Sequence, residues 1–150
     1  MIEERLAELG IELPPAPSPL AAYVPVRVVG RLAYVSGQVP LVDGVPLHPG
    51  KVGDAVTVEE GAEAARRCVL QALSALRAAL GSLDLVTGIA QLSVFVASAT
   101  GFTDQPKVAN GASDLLVEVF GEAGKHSRIA IGVAELPLGV PVELAVIAEL

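Results

Sequence analysis

Aromatic side chains are scarce: tryptophan is absent, and three phenylalanines and two tyrosines make up 3% of a chain that is 52% hydrophobic. The core must therefore be aliphatic, and an aromatic cage or base-stacking platform is not expected. Cysteine is nearly absent too. The one residue, Cys68, permits no intrachain disulfide and suits a reducing compartment. Lying among helical residues, it reads as a buried small hydrophobe. The two histidines, His48 and His126, stand far apart without Cys or acidic partners at ligand spacing, so no zinc or other metal site is expected. Basic residues are outnumbered, ten Lys and Arg against seventeen Asp and Glu, and a net charge of −7 opposes nucleic-acid backbones.

No apolar stretch reaches the ~20 residues of a membrane span without a charge, glycine or proline. The charged, amphipathic start Met1–Leu6 lacks the apolar run and cleavage site of a signal peptide, so a soluble, cytoplasmic protein is expected. No Gly-x-Gly-x-x-Gly, phosphate-binding loop or Gly-x-Ser-x-Gly elbow occurs. Nucleotide cofactors and serine-hydrolase chemistry drop out, and no cofactor is expected.

What is present fits one domain over residues 1–150, a length able to bury a sizeable core. Residues 2–9 place Ile2, Leu6 and Leu9 on one helical face, with Gly10 as the cap. The run Pro14-Pro15-Ala16-Pro17-Ser18-Pro19 forbids regular structure and reads as an extended connector. Tyr23–Val29 and Leu32–Ser36, split by Gly30-Arg31, predict a hairpin. Leu41–Asp54, with its glycines and prolines, reads as an exposed loop in which His48 is solvated.

Thr57 with Glu60 three positions on forms a capping box for a helix reaching Leu80, ended by Gly81. Ile89–Val96 alternates as a strand, and Asp104-Gln105-Pro106 starts a second helix to about Phe120. Arg128–Glu135 and Pro141–Glu149 read as a closing hairpin around Leu136-Pro137-Leu138-Gly139. Two helices crossing between strands give an α+β sandwich, a mixed sheet with both helices on one face. The other face would be apolar, which an oligomer would cover.

Polar groups inside apolar strands carry the chemical information, because a buried charge costs several kcal/mol unless paired. Arg128 opens an apolar strand and shares a face with Ala130, Gly132 and Ala134, whose small size would leave room for a ligand. Its planar fork suits a carboxylate, and Glu143 in Val142-Glu143-Leu144 could orient a water or take its proton. With the turn at Pro137-Leu138, Arg128 would oppose Ile147 and Glu143 would oppose Gly132. A structural or inter-subunit ion pair fits the pattern equally well.

The stretch Arg128-Ile-Ala-Ile-Gly-Val-Ala-Glu-Leu-Pro-Leu-Gly-Val-Pro-Val-Glu143-Leu resembles the C-terminal signature of the RidA/YjgF family, with the same fifteen-residue interval from arginine to glutamate. Two further blocks agree: Tyr23 followed thirteen residues later by Ser36-Gly37-Gln38, and Val108-Ala109-Asn110 ahead of Phe120-Gly121. The resemblance runs from about Pro19 onward, and the leading helix is similar to that of a longer subgroup. Two positions depart from some relatives: Ala130 stands where they carry cysteine, and Ala145 where they carry a second acid.

The resemblance implies a chorismate-mutase-like homotrimer with sites in the clefts between subunits. It implies hydrolysis of 2-aminoacrylate and similar enamine or imine acids to a 2-keto acid and ammonia. Arg128 would bind the carboxylate and Glu143 would position the water. Tyr23, Ser36, Gly37 and Asn110 would complete the pocket, and His126 would lie nearby as a loop residue. The alternatives are a non-catalytic, regulatory carboxylate-binding trimer and a deaminase dedicated to one pathway intermediate. A nuclease, an old label of the family, is opposed by the net charge of −7.

Overall fold

The computed structural model describes residues 1–18 and 21–150; Pro19, the last connector proline, lies outside them. The elements run α1 (Ile2–Glu8), β1 (Val26–Val29), β2 (Leu32–Gln38), β3 (Leu41–Val42), β4 (Val45–Pro46), α2 (Val58–Leu80), β5 (Gly88–Ala97), α3 (Gln105–Phe120), β6 (Ser127–Val133) and β7 (Val142–Glu149). Gly30, at φ 59°, turns the chain between β1 and β2, where a side chain would be strained. The Thr57–Glu60 capping box opens α2, both reciprocal hydrogen bonds being 3.1 Å, and Gly81 closes it at φ 88°.

The main sheet has the order β1-β2-β7-β5-β6, antiparallel except for the parallel pair β5 and β6. α2 lies over β2 and β7, and α3 over β5 and β6, so both helices cover one face. The two helices approach so closely that a Cβ on Gly111 would strike the Ala62 backbone carbonyl. Leu73, Leu76, Leu92, Leu115 and Leu144 are fully buried between the layers, giving the aliphatic core that the composition requires.

Several expectations need correction. Arg128–Glu135 and Pro141–Glu149 do not pair with each other, because β5 lies between β6 and β7. Arg128 aligns with Leu92 and Glu143 with Phe95, rather than with Ile147 and Gly132. The return from α3 lays β6 parallel to β5, as a strand-helix-strand crossover does, and Pro137–Gly139 carries the chain across β5.

The segment Leu41–Asp54 contains a small hairpin, turned at Asp43-Gly44 where both φ angles are positive. Within it His48 is half-buried, its ring nitrogens 3.1 Å from Glu60 Oε2 and 2.9 Å from Glu63 Oε2, which fastens the segment to α2. A further correction concerns the space beside Gly132. The side chains of Gln105 and Ser98 fill it, so a Cβ there would lie 2.7 Å from Gln105 Nε2.

The leading helix is an integral part of the packing. Leu6 is buried, and Glu3 accepts hydrogen bonds from Arg77 on α2 and from the Leu83 amide, at 2.9 Å for the latter. The Arg77 guanidinium holds the Glu3 carboxyl below its ordinary range.

Candidate functional site

The polar residues singled out in the sequence gather into two groups. The first is built on β6 and α3. Arg128 stands on the helix-covered face, level with buried Leu92, at the outer edge of the sheet. Its Nη1 donates to Asn110 Oδ1 at 2.9 Å and to Ser113 Oγ at 3.1 Å, both one helical turn apart on α3. Ser113 in turn meets His126 Nε2 at 2.9 Å, and His126 Nδ1 lies 2.6 Å from the Gly124 carbonyl.

No carboxylate pairs with Arg128 among the described residues, so its charge is met only by neutral oxygens. The Nη1 hydrogens are committed to α3. The parallel donors on Nε and Nη2 remain, and that edge has the geometry for bidentate binding of a carboxylate.

The second group is built on β2 and β7. Between Val35 and Gln38 the register with β7 shifts, so that Ser36 and Gly37 together face the single residue Ala145. This is a β-bulge, a device that re-aims side chains beside functional sites. Glu143 uses the space: its carboxyl sits where a Cβ on Gly37 would be. By strand alternation Glu143 lies on the face away from the helices, level with Phe95.

Burial pushes the Glu143 carboxyl above its ordinary range, and no side-chain hydrogen bond reaches it among the described residues. The Cys68 thiol is pushed well up, first by burial and then by the Glu143 charge, which fits a cysteine used for packing.

Ser36 donates its hydroxyl proton to the Val24 carbonyl at 2.6 Å, while its amide donates to Pro25 O at 2.9 Å. These bonds hold the segment that carries Tyr23, which is 54% exposed. Tyr23, Ser36, Gly37, Gln38 and Gln71 line one cavity of about 150 Å³. Ser36 can therefore accept from a ligand, its own proton being spent.

Arg128 and Asn110 are thus brought together; Tyr23, Ser36 and Gly37 share one cavity, and Glu143 lies against Gly37. Arg128 and Glu143 lie on opposite faces of the sheet within one chain. An Arg128–Glu143 ion pair inside the chain is excluded by this placement. Ser113 was not visible as a site residue in the sequence, although it lies three residues after Asn110. His126, which reads as a loop residue, is in a loop and bonds inward to Ser113.

The open face carries Tyr34 at 42% exposure and Ile129 and Ile131 at 45% each, with Phe95, Ala145 and Ile147 half-buried among them. The apolar character expected of this face is present. No helix among the described residues is long and apolar enough to cross a membrane.

Comparison with known proteins agrees with this architecture. The family described as "YjgF/chorismate_mutase-like, putative endoribonuclease" matches residues 3–150, so all of the leading helix but Ile2 falls inside the match. "Protein TCP17" of Trypanosoma cruzi is 47% identical over 150 residues, covering 99% of this chain and 94% of that protein. The solved structure of Atu1372, a protein of unknown function from Agrobacterium tumefaciens, is 42% identical with a TM-score of 0.90, covering 99% of this chain and 91% of that one. A "putative endoribonuclease" from Shewanella oneidensis is 37% identical with a TM-score of 0.94, covering 100% and 99%. On the family match and these relatives together, the chain belongs to the RidA/YjgF family.

Proposed function

We propose that this protein is a hydrolytic deaminase of small enamine and imine acids of the 2-aminoacrylate type, acting without a cofactor as a cytoplasmic homotrimer. The observation that carries the reading is the free Nε/Nη2 edge of Arg128, an anion site with no anionic partner of its own among the described residues. Bound there by its carboxylate, an imine presents its C2 carbon to water. As the water oxygen bonds to C2, Glu143 accepts one of its protons and passes it to the imine nitrogen, giving a carbinolamine; the proton of the new hydroxyl then moves by way of the same carboxylate to the amino nitrogen, the C2–N bond breaks, and ammonia leaves as the C2=O bond of the 2-keto acid forms. A carboxyl whose proton affinity is raised by burial is better suited to that exchange than an ordinary one. Such imines hydrolyse unaided, so orienting water and fixing the carboxylate are sufficient means.

Because Arg128 and Glu143 occupy opposite faces of one sheet, the site is completed between neighbouring subunits in this reading. The apolar open face supplies the surface for that association. Tyr23, Ser36 and Gly37 would line the pocket on the glutamate side and Asn110 would steady the arginine.

The test is the loss of 2-aminoacrylate generated in situ by a dehydratase. Wild-type protein should accelerate it and Arg128→Ala should not. Mixing Arg128→Ala with Glu143→Gln subunits should restore about a quarter of wild-type activity if each site draws one group from each neighbour. No acceleration by the wild type would leave the same edge as a carboxylate-binding, regulatory site or point to a dedicated substrate. The RNA-cleaving reading is disfavoured by the net charge of −7, and it predicts a salt-dependent RNA affinity that this protein should lack.

A further inference from the structure

We infer that His126 is a positioning residue of the anion site, acting on Arg128 through the hydroxyl of Ser113. The inference rests on reading Arg128 as the carboxylate anchor. It follows from which atoms can donate along the chain of contacts. The Gly124 carbonyl can only accept, so His126 Nδ1, 2.6 Å away, must carry the proton. In the neutral ring Nε2 then has a lone pair and no hydrogen. Ser113, 2.9 Å from Nε2, must donate to it.

With its one proton so committed, Ser113 turns lone pairs toward Arg128, whose Nη1 donates at 3.1 Å. The direction of every bond is thereby set, from Arg128 to Ser113 to His126 to Gly124. Each donor polarises the next, which strengthens the series.

Without the histidine acceptor, the Ser113 hydroxyl is free to rotate and direct its proton elsewhere, and its grip on Nη1 loosens. Asn110 alone would then fix the guanidinium. The consequence falls on the opposite edge of the fork, where Nε and Nη2 must point together for a carboxylate to bind through both oxygens. Gly124 serves as the anchor because the backbone around it is packed tightly: a Cβ there would strike the Leu116 carbonyl of α3. The relay is fastened at its far end to the same helix that carries Asn110 and Ser113.

The experiment uses the full-length protein and three variants, His126→Phe, Ser113→Ala and the double variant. Two quantities are read: the mobility of the Arg128 Nε–H group by nitrogen relaxation, and the affinity for pyruvate as the carboxylate probe. Each single variant should loosen Arg128 and weaken pyruvate by about three- to ten-fold, the range of one neutral hydrogen bond. The double variant should be no worse than Ser113→Ala alone, and Ser113→Thr, which keeps the hydroxyl, should retain wild-type behaviour. Nitrogen spectra of His126 should show the Nδ1–H tautomer.

An unchanged Arg128 in His126→Phe, or single effects that multiply in the double variant, would overturn the relay. If wild-type protein fails to bind pyruvate, the carboxylate reading is lost, while the Arg128 mobility still decides the relay by itself.

Discussion

At the Arg128 end, two side chains of α3 clasp the guanidinium and a histidine orders one of them, all within hydrogen-bonding distance. At the Glu143 end, a bulge and a glycine make room for a carboxyl that no side-chain hydrogen bond reaches among the described residues. One group is fixed before any ligand arrives, while the other is left adjustable, with burial acting on its proton affinity. The contrast matches the two demands of the proposed chemistry. An anion must be held in one orientation, whereas a proton must be taken up and given back.

The comparison breaks most severely at Gly37. Gly37→Ala places a methyl group on the Glu143 carboxyl, so turnover should fall by about 100-fold or more while pyruvate affinity stays near wild type. Steady-state rates and a pyruvate titration separate the two, and equal losses in both would contradict independent ends. Arg128→Lys comes next. An ammonium keeps the charge and loses the fork, so carboxylate affinity should drop roughly ten-fold, and an unchanged affinity would mean the bidentate edge is not used.

Asn110→Ala removes one of two acceptors on Nη1 and should weaken pyruvate by about three- to ten-fold. The smallest effect concerns pH. Burial raises the Glu143 carboxyl, so the stability associated with its protonated form is complete at acid pH and is lost as pH rises through the raised value. In an Arg128→Ala background, where no guanidinium can compensate, Glu143→Gln should therefore match its parent at acid pH and become slightly more stable toward neutral pH. Urea midpoints across that range would show it, and a glutamine variant that is less stable at neutral pH would reverse the sign.

Much of this arrangement was legible in the sequence, and for identifiable reasons. Thr57 and Glu60 announce the start of α2, and Gly81 its end, because capping chemistry is local. The second helix starts at Gln105 with its proline in the first turn, as Asp104-Gln105-Pro106 predicts. Strand pairing is a different matter. The residues of β6 and β7 are apolar whether they pair with each other or flank a third strand, so periodicity is silent about β5 entering between them.

Gly37 inside a strand did carry a signal, since an isolated glycine there marks a bulge or a close approach, and the structure contains both. The Asp43-Gly44 turn carried one too, in a segment that reads as a loop. Ser113 had none: a serine on a helix surface becomes informative only once Arg128 and His126 are placed beside it.

The sheet order has a bearing on how the chain can assemble. The hairpin of β1 and β2 precedes β5 and β6, yet the two pairs never touch as strands; β7, later in the chain than both, fills the slot between them. Until that segment has left the ribosome, neither half can complete a sheet, and each waits with an unpaired edge. The strand that supplies Glu143 is thus also the keystone, and any chain cut short before it would lack Glu143 and the fold together.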